Sequence, residues 1–239
     1  MKLLNNLNKL PVLSVLAPLC LCAVAFGQEE VTQSNAVMDM FKHAGIIGYV
    51  IVLVSVVSLA LIIENFMTLK RDKLAPPDVI DELEALFDEE NFQDALELCE
   101  GERGYLTNVV SAGLNKLGHP FETIQTSLRE MQDEESVKLF QKIGWLSLIS
   151  ATAPMMGLLG TVTGMFVTFG EIAAAGGSVS PAQLAGGIKL ALTTTIFGLI
   201  VAIPVGAFFF VFRNRVVKTT IEVNALAEDM FERFRSNAK

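Results

Sequence analysis

Residues 143–170, IGWLSLISATAPMMGLLGTVTGMFVTFG, are 28 residues without one Asp, Glu, Lys, Arg or His. A helix of that length rises about 42 Å, against roughly 30 Å for the hydrocarbon core of a bilayer. Its small and hydroxyl-bearing residues are ordered. Ser150, Pro154, Gly157, Thr161, Gly164 and Thr168 follow at steps of 4, 3, 4, 3 and 4, so all six share one helical face. Small faces let helices approach closely in a membrane, and Gly160-x-x-x-Gly164 offers a further close contact.

Two other uncharged runs in the body of the chain are long enough to span, Ala44–Ile63 with 20 residues and Leu190–Phe212 with 23. The second repeats the pattern of small residues: Gly187, Ala191, Thr195, Gly198, Ala202 and Val205 step by 4, 4, 3, 4 and 3. A lone Thr in such a helix bonds a carbonyl one turn back and only packs. A continuous stripe, with Thr193, Thr194 and Thr195 clustered on the partner helix, points instead to a polar seam or a pore lining. An N-terminal run, Leu10–Gln28, differs in kind. Lys2 and Lys9 precede it, Pro11 and Pro18 interrupt it, and Ala25-Phe26-Gly27 puts small residues at −3 and −1 before Gln28. Residues 1–27 therefore read as a cleaved signal peptide. Leu19 stands before Cys20, where a lipobox needs a small residue.

Composition agrees with a membrane protein. Of the 239 residues, 51% are hydrophobic and 18% charged, with a mean hydropathy of +0.48, whereas soluble chains carry roughly 25% charged residues. A net charge of −8 excludes a sequence-wide basic surface for nucleic acid. Three cysteines make no disulfide framework, and Cys99, outside the N-terminal run, reads as a half-buried helix residue. His43 and His119 lie in separate segments, and Asp88-Glu89-Glu90 lacks the oxygen spacing and Gly turn of a metal loop. Neither a metal site nor a cofactor site is expected. No His-Glu-x-x-His, Gly-x-Ser-x-Gly or Cys/His pairing suggests an enzyme, and three spans without a repeat or a buried charge argue against a self-sufficient transporter.

Basic residues set the orientation. Lys70, Arg71 and Lys73 follow the first span and Arg213, Arg215 and Lys218 follow the third, while Glu171–Lys189 carries one acid and one Lys. Positive-inside counting places residues 70–142 and the C-terminus in the cytoplasm, and the mature N-terminus in the periplasm. The organisation expected is an all-α membrane protein: signal peptide 1–27, periplasmic segment 28–43, spans 44–69, 143–170 and 190–212, cytoplasmic domain 70–142, periplasmic loop 171–189 and a cytoplasmic helix 213–239. The 70–142 segment holds 17 acids and 8 bases. Val79, Leu83, Leu86 and Phe87, then Ala95, Leu98 and Cys99, mark amphipathic helices, punctuated by Pro76-Pro77 and by Gly101 and Gly104. Ile124, Leu128, Met131, Val137 and Leu139 run into span two without Pro or Gly before Gly144. Val216, Thr220, Val223, Leu226, Ala227 and Phe231 continue span three. Long helices projecting from the membrane follow.

At spans two and three the sequence resembles a known family. Ala153-Pro154-Met155-Met156-Gly157-Leu158-Leu159-Gly160-Thr161-Val162-Thr163-Gly164-Met165 is similar to the signature of the MotA/TolQ/ExbB proton channels. So is Gly187-Ile188 through Ala191-Leu192-Thr193-Thr194-Thr195-Ile196-Phe197-Gly198-Leu199 to Ala202-Ile203-Pro204. The resemblance covers roughly residues 37–235, and the three-span layout looks like ExbB and TolQ rather than four-span MotA. It implies a pentamer around single-span ExbD- or TolR-like subunits that supply a proton-carrying Asp. A TonB-like protein would connect this inner-membrane motor to outer-membrane transport. Envelope maintenance of the TolQ kind, a gliding-type motor and a non-conducting scaffold are the alternatives. The family's two pore threonines fall on Thr161 and Thr195, and Pro154, Gly157, Gly160, Gly164, Gly198 and Pro204 fall on its packing motif. One departure stands out: the family's Glu before the third-span threonine is Leu190 here, beside Lys189, so that carboxylate is not carried over. Spans two and three hold no titratable group, and hydroxyls do not titrate near neutrality. The chain can line a proton path, and a partner must bring the group that switches protonation.

Overall fold

The computed structural model describes residues 45–174, 176 and 180–235, whose regular elements are all helical. In order these are α1 (Gly45–Thr68), α2 (Arg71–Leu74), α3 (Pro77–Asp88), α4 (Phe92–Gly101), α5 (Tyr105–Leu114), α6 (Phe121–Ala174) and α7 (Pro181–Glu232), closed by a 3₁₀ turn at Arg233–Arg235. Helices α1, α6 and α7 are long and apolar enough to cross a membrane. The protein is an all-α membrane protein, with three such helices among the described residues. The expected signal peptide 1–27, the segment 28–43, and Cys20, Cys22 and His43 lie outside the described residues.

The helices begin where their capping chemistry allows. Pro77 is the first residue of α3 and Pro181 of α7, positions where a missing N–H costs no hydrogen bond. The Asn91 side chain accepts from the Asp94 amide to start α4. At α5 the Thr107 hydroxyl oxygen accepts from the Gly104 amide at 2.8 Å. Helix α3 stops at the acidic triplet. Glu90 takes φ +57°, the left-handed conformation that ends a helix, and Asp88, Glu89 and Glu90 are all exposed. Helices α6 and α7 hold 54 and 52 residues, so the uncharged runs mark only their middle portions. Both also reach into the expected loop 171–189, leaving residues 175–180 between them.

The chain forms two compact units. One contains the described residues up to Leu59 together with Leu146–Phe208; the other contains Ala60–Trp145 and residues from Phe209 onward. In the second unit the expected faces are buried: Val79, Leu83 and Phe87 on α3, Ala95 on α4, Ile124 and Leu128 on α6, and Val216, Val223, Ala227 and Phe231 on α7. Phe87 meets Phe231 edge to face, with centroids 5.3 Å apart. Gly113 sits so close that a methyl group there would lie 2.8 Å from Phe231 Cε1 and 2.9 Å from Leu128 Cδ2.

Two sequence expectations change here. Cys99 is buried rather than half-buried, because α4 packs on both α3 and α5. Val137 is 52% exposed, whereas the inward line on α6 runs Ile124, Leu128, Gln132, Glu135, Leu139 and Ile143 at helical spacing. Two polar residues occupy places where a search for apolar periodicity skips to the wrong face.

Candidate functional site

In the first unit the small faces of α6 and α7 meet each other in antiparallel register. The Ser150 hydroxyl donates to the Ala202 carbonyl at 3.1 Å. A methyl group at Gly198 would lie 2.6 Å from the Ala153 carbonyl oxygen, one at Gly157 2.9 Å from Thr195 Cα, and one at Gly164 3.0 Å from Ala191 Cβ. Gly187 faces Thr168 at the far end. Gly160 abuts the Thr194 side chain, whose Cβ would sit 2.7 Å from an added methyl group. The Gly160–Gly164 face is therefore filled from within the same chain. Pro154 and Pro204 are half-buried inside α6 and α7. Each lacks the N–H that would serve the carbonyl four residues back, at Ser150 and Ile200.

This backbone contact brings four hydroxyl-linked groups together. The Thr161 and Thr195 hydroxyls lie 2.5 Å apart, and either can be the donor. Both also reach the Gly157 carbonyl, Thr161 at 3.2 Å and Thr195 at 3.1 Å. Thr194 donates to the same carbonyl at 3.1 Å or to Ala191 O at 2.8 Å. Gly157 has no side chain, and that lets α7 come near enough for its hydroxyls to share a carbonyl on α6. Chemically, Thr161, Thr195 and the carbonyl make a ring with two orders of hydrogens. Either Thr161 donates to Thr195, which donates to the carbonyl, or the order is reversed.

Burial separates the threonines. Thr193 and Thr194 are 8% and 4% exposed, and Thr193 donates to the Lys189 carbonyl. Thr161 and Thr195 are half-buried. Thr163 is exposed and bonded back to Leu159 and Gly160 carbonyls, so it belongs to a different face.

The second unit holds a polar cluster that the sequence reading passed over. The buried Tyr105 hydroxyl lies 2.8 Å from Asn224 Oδ1, 3.0 Å from Ser136 Oγ and 3.3 Å from the Gln132 carbonyl. Burial raises its pKa, with the Ser136 and Asn224 bonds acting in the opposite direction. Asn108 donates to Glu135 at 3.0 Å, and Lys138 pairs with Glu135 at 2.8 Å and Glu134 at 2.9 Å. Those two carboxylates raise the Lys138 pKa. Glu135 borders a cavity of about 400 Å³ with Asn108, Ser111, Asn115 and Cys99. Burial pushes the Cys99 thiol up to about 11. The available signal was the spacing of Gln132 and Glu135 on the apolar line of α6.

The chain is similar to known proteins. Over 188 residues the chain is 31% identical to the putative biopolymer transport protein ExbB-like 1 of Synechocystis sp., covering 77% of this chain and 73% of that one. It is 36% identical over 119 residues to the biopolymer transport protein ExbB of Xanthomonas campestris, where the match covers 49% of this chain and 46% of the relative. The solved structure of C. jejuni MotAB superposes with a TM-score of 0.51 at 17% identity, covering 92% of this chain and 89% of that chain, a likeness of fold. Residues 102–225, including both small faces and the threonine cluster, match one family as a whole, and the chain belongs to the MotA/TolQ/ExbB proton channel family.

Proposed function

We propose that this chain is the pore-forming subunit of an inner-membrane motor driven by the proton-motive force, with Thr161 and Thr195 lining the ion path. The observation that carries the reading is the half-buried hydroxyl pair on the shared Gly157 carbonyl, set between helices without a titratable side chain in their uncharged runs. Hydroxyls in that position can pass or orient a hydrogen-bonded proton and cannot hold a charge. The charge-switching group is then a carboxylate on a single-span ExbD- or TolR-like partner. Several copies of this chain, a pentamer in our reading, surround that partner. Residues 70–142 and the C-terminus lie in the cytoplasm, the mature N-terminus in the periplasm, and the work is delivered to a TonB-type outer-membrane transport system.

The test is proton-motive-force-dependent function in cells at matched protein levels. Thr161→Val and Thr195→Val keep the shape and remove the hydroxyl. A buried polar partner left without its bond costs about 1–3 kcal/mol, which slows a proton step by about 5- to 150-fold. Thr→Ser at either position retains much of the activity, and Thr163→Val behaves as wild type. Wild-type function in both Thr161→Val and Thr195→Val would show that these hydroxyls only pack.

A further inference from the structure

In the second unit, Phe66 near the end of α1 packs edge to face on Phe212 of α7, with centroids 4.9 Å apart. Phe212 is the last residue of the uncharged run 190–212, and Phe66 lies three residues past the end of the run 44–63. The aromatic pair thus marks the edge of the apolar zone. Cations gather immediately beyond it. The Arg215 guanidinium lies over the Phe66 ring, 5.8 Å from its centroid. Arg71 Nε stands 3.6 Å from Glu222 Oε2, and Lys218 Nζ 3.8 Å from Glu222 Oε1. Lys70 is exposed beside Arg71, and the Lys218 side chain is 80% exposed. Two cations, Arg71 and Lys218, therefore share the Glu222 carboxylate, while Arg215 and Lys70 have no carboxylate partner among the described residues.

We propose that this basic collar is a binding site for the headgroup of an anionic phospholipid. Its depth fits, since the cations begin about one helical turn past the apolar edge, where lipid phosphates lie. Its chemistry fits as well. Among the described residues Arg215 makes no ion pair, and stacking on Phe66 holds its planar donors ready for two phosphate oxygens. The excess of positive charge selects a headgroup with net negative charge over phosphatidylcholine, whose own quaternary ammonium offsets its phosphate. Basic pockets between membrane helices at the positively flanked end recognise acidic headgroups in this manner.

The test is native mass spectrometry of the full chain in detergent, titrated with phosphatidylglycerol or with phosphatidylcholine of the same acyl chains. Phosphatidylglycerol is expected to remain bound preferentially. Arg215→Gln and Lys218→Gln are each expected to weaken that binding about fivefold, the effect of one cation near a charged lipid surface. Lys218→Gln touches only an exposed side chain, so its result does not depend on a delicate fold. Lys189→Gln, an exposed cation of the other unit, leaves the preference intact. Equal retention of the two lipids would overturn the proposal, as would an equal loss in Lys189→Gln. Displacement of phosphatidylglycerol by inorganic phosphate at matched concentration would also overturn it, showing a site for free anions.

Discussion

Adding one methyl group to each glycine on α6 and α7 grades the helix contact. At Gly198 the added Cβ would sit 2.6 Å from the Ala153 carbonyl oxygen and 3.3 Å from Gly157 Cα. Both are backbone atoms, so relief requires the helices to separate. At Gly157 the Cβ meets the Thr194 carbonyl and Thr195 Cα, each at 2.9 Å, again backbone. At Gly164 it meets Ala191 Cβ at 3.0 Å, where a few tenths of an ångström suffice. At Gly144 and Gly170 it meets nothing within 4 Å. Overpacking a tight core costs about 1–3 kcal/mol. Against this, Ala exceeds Gly in helix propensity by up to about 1 kcal/mol. The expected order of stability is Gly144→Ala and Gly170→Ala at or above wild type, Gly164→Ala slightly below it, then Gly157→Ala, with Gly198→Ala lowest. The assay is thermal unfolding in a fixed detergent, followed by far-ultraviolet circular dichroism, at about 2–4 °C per kcal/mol for a chain of this size. Equal melting of Gly198→Ala and Gly144→Ala would refute the close approach of α7 to Ala153.

Three further outcomes are expected. Tyr105→Phe leaves Asn224 Oδ1 without the hydroxyl at 2.8 Å and is expected to lower stability by about 1–3 kcal/mol in the same melting assay; an unchanged melting temperature would mean that water replaces the tyrosine. Cys99, whose thiol is pushed up to about 11, stays protonated in the fold where an ordinary thiol ionises near 9, so stability conferred by the neutral thiol falls as pH rises through that interval. Iodoacetamide labelling at about pH 9, read at the Cys99 peptide by mass spectrometry, is accordingly slow in the folded protein and rapid in denaturant, and fast labelling of Cys99 in the native protein would contradict the burial. A reporter fused after Asp94 is expected to be active only as a cytoplasmic reporter and one near Ser178, outside the described residues, only as a periplasmic one; the opposite pattern at either position would reverse the proposed orientation.

The helices were legible where one type of residue repeats at helical spacing. Ser150, Gly157, Gly164 and Thr168 mark a face, and so do Gly187, Ala191, Gly198 and Ala202; the structure buries these two faces against each other. Periodicity names a face but not what covers it. Gly160 could equally have met a second copy, and only the fold shows Thr194 of the same chain against it. Within the threonine triplet the small-residue spacing singled out Thr195, and the family resemblance paired it with Thr161, but what Thr193 and Thr194 pack against was not legible, because adjacent residues on a helix point about 100° apart. Burial assigns Thr193 and Thr194 to packing and leaves Thr195 with Thr161. Gln132 and Glu135 escaped notice for the opposite reason. The Glu135 carboxylate is met by Asn108 of another helix, distant in sequence, and the Tyr105 hydroxyl reaches the Gln132 main-chain carbonyl rather than its side chain.

The hydroxyl ring has a consequence for how work is divided between subunits. Thr161 and Thr195 each carry one hydrogen, and the Gly157 carbonyl carries none. When one hydroxyl donates to the other and that one donates to the carbonyl, the ring consumes both hydrogens internally. What remains is acceptor capacity on the threonine oxygens. A protonated carboxylic acid arriving there can donate to one oxygen. An ionised carboxylate can be accommodated only if a hydroxyl leaves the ring and turns its hydrogen outward. In the pore we propose, the pair would distinguish two protonation states of a visiting carboxyl group without titrating, by which way its hydrogens run. Valine at either position breaks the ring, so neither arrangement survives. Serine preserves the hydroxyl while loosening its rotamer, because the β-branch that restricts threonine is gone. Loss with valine and retention with serine at both Thr161 and Thr195 would identify the hydrogen-bonding pair, rather than the volume it fills, as the feature that the proton path uses.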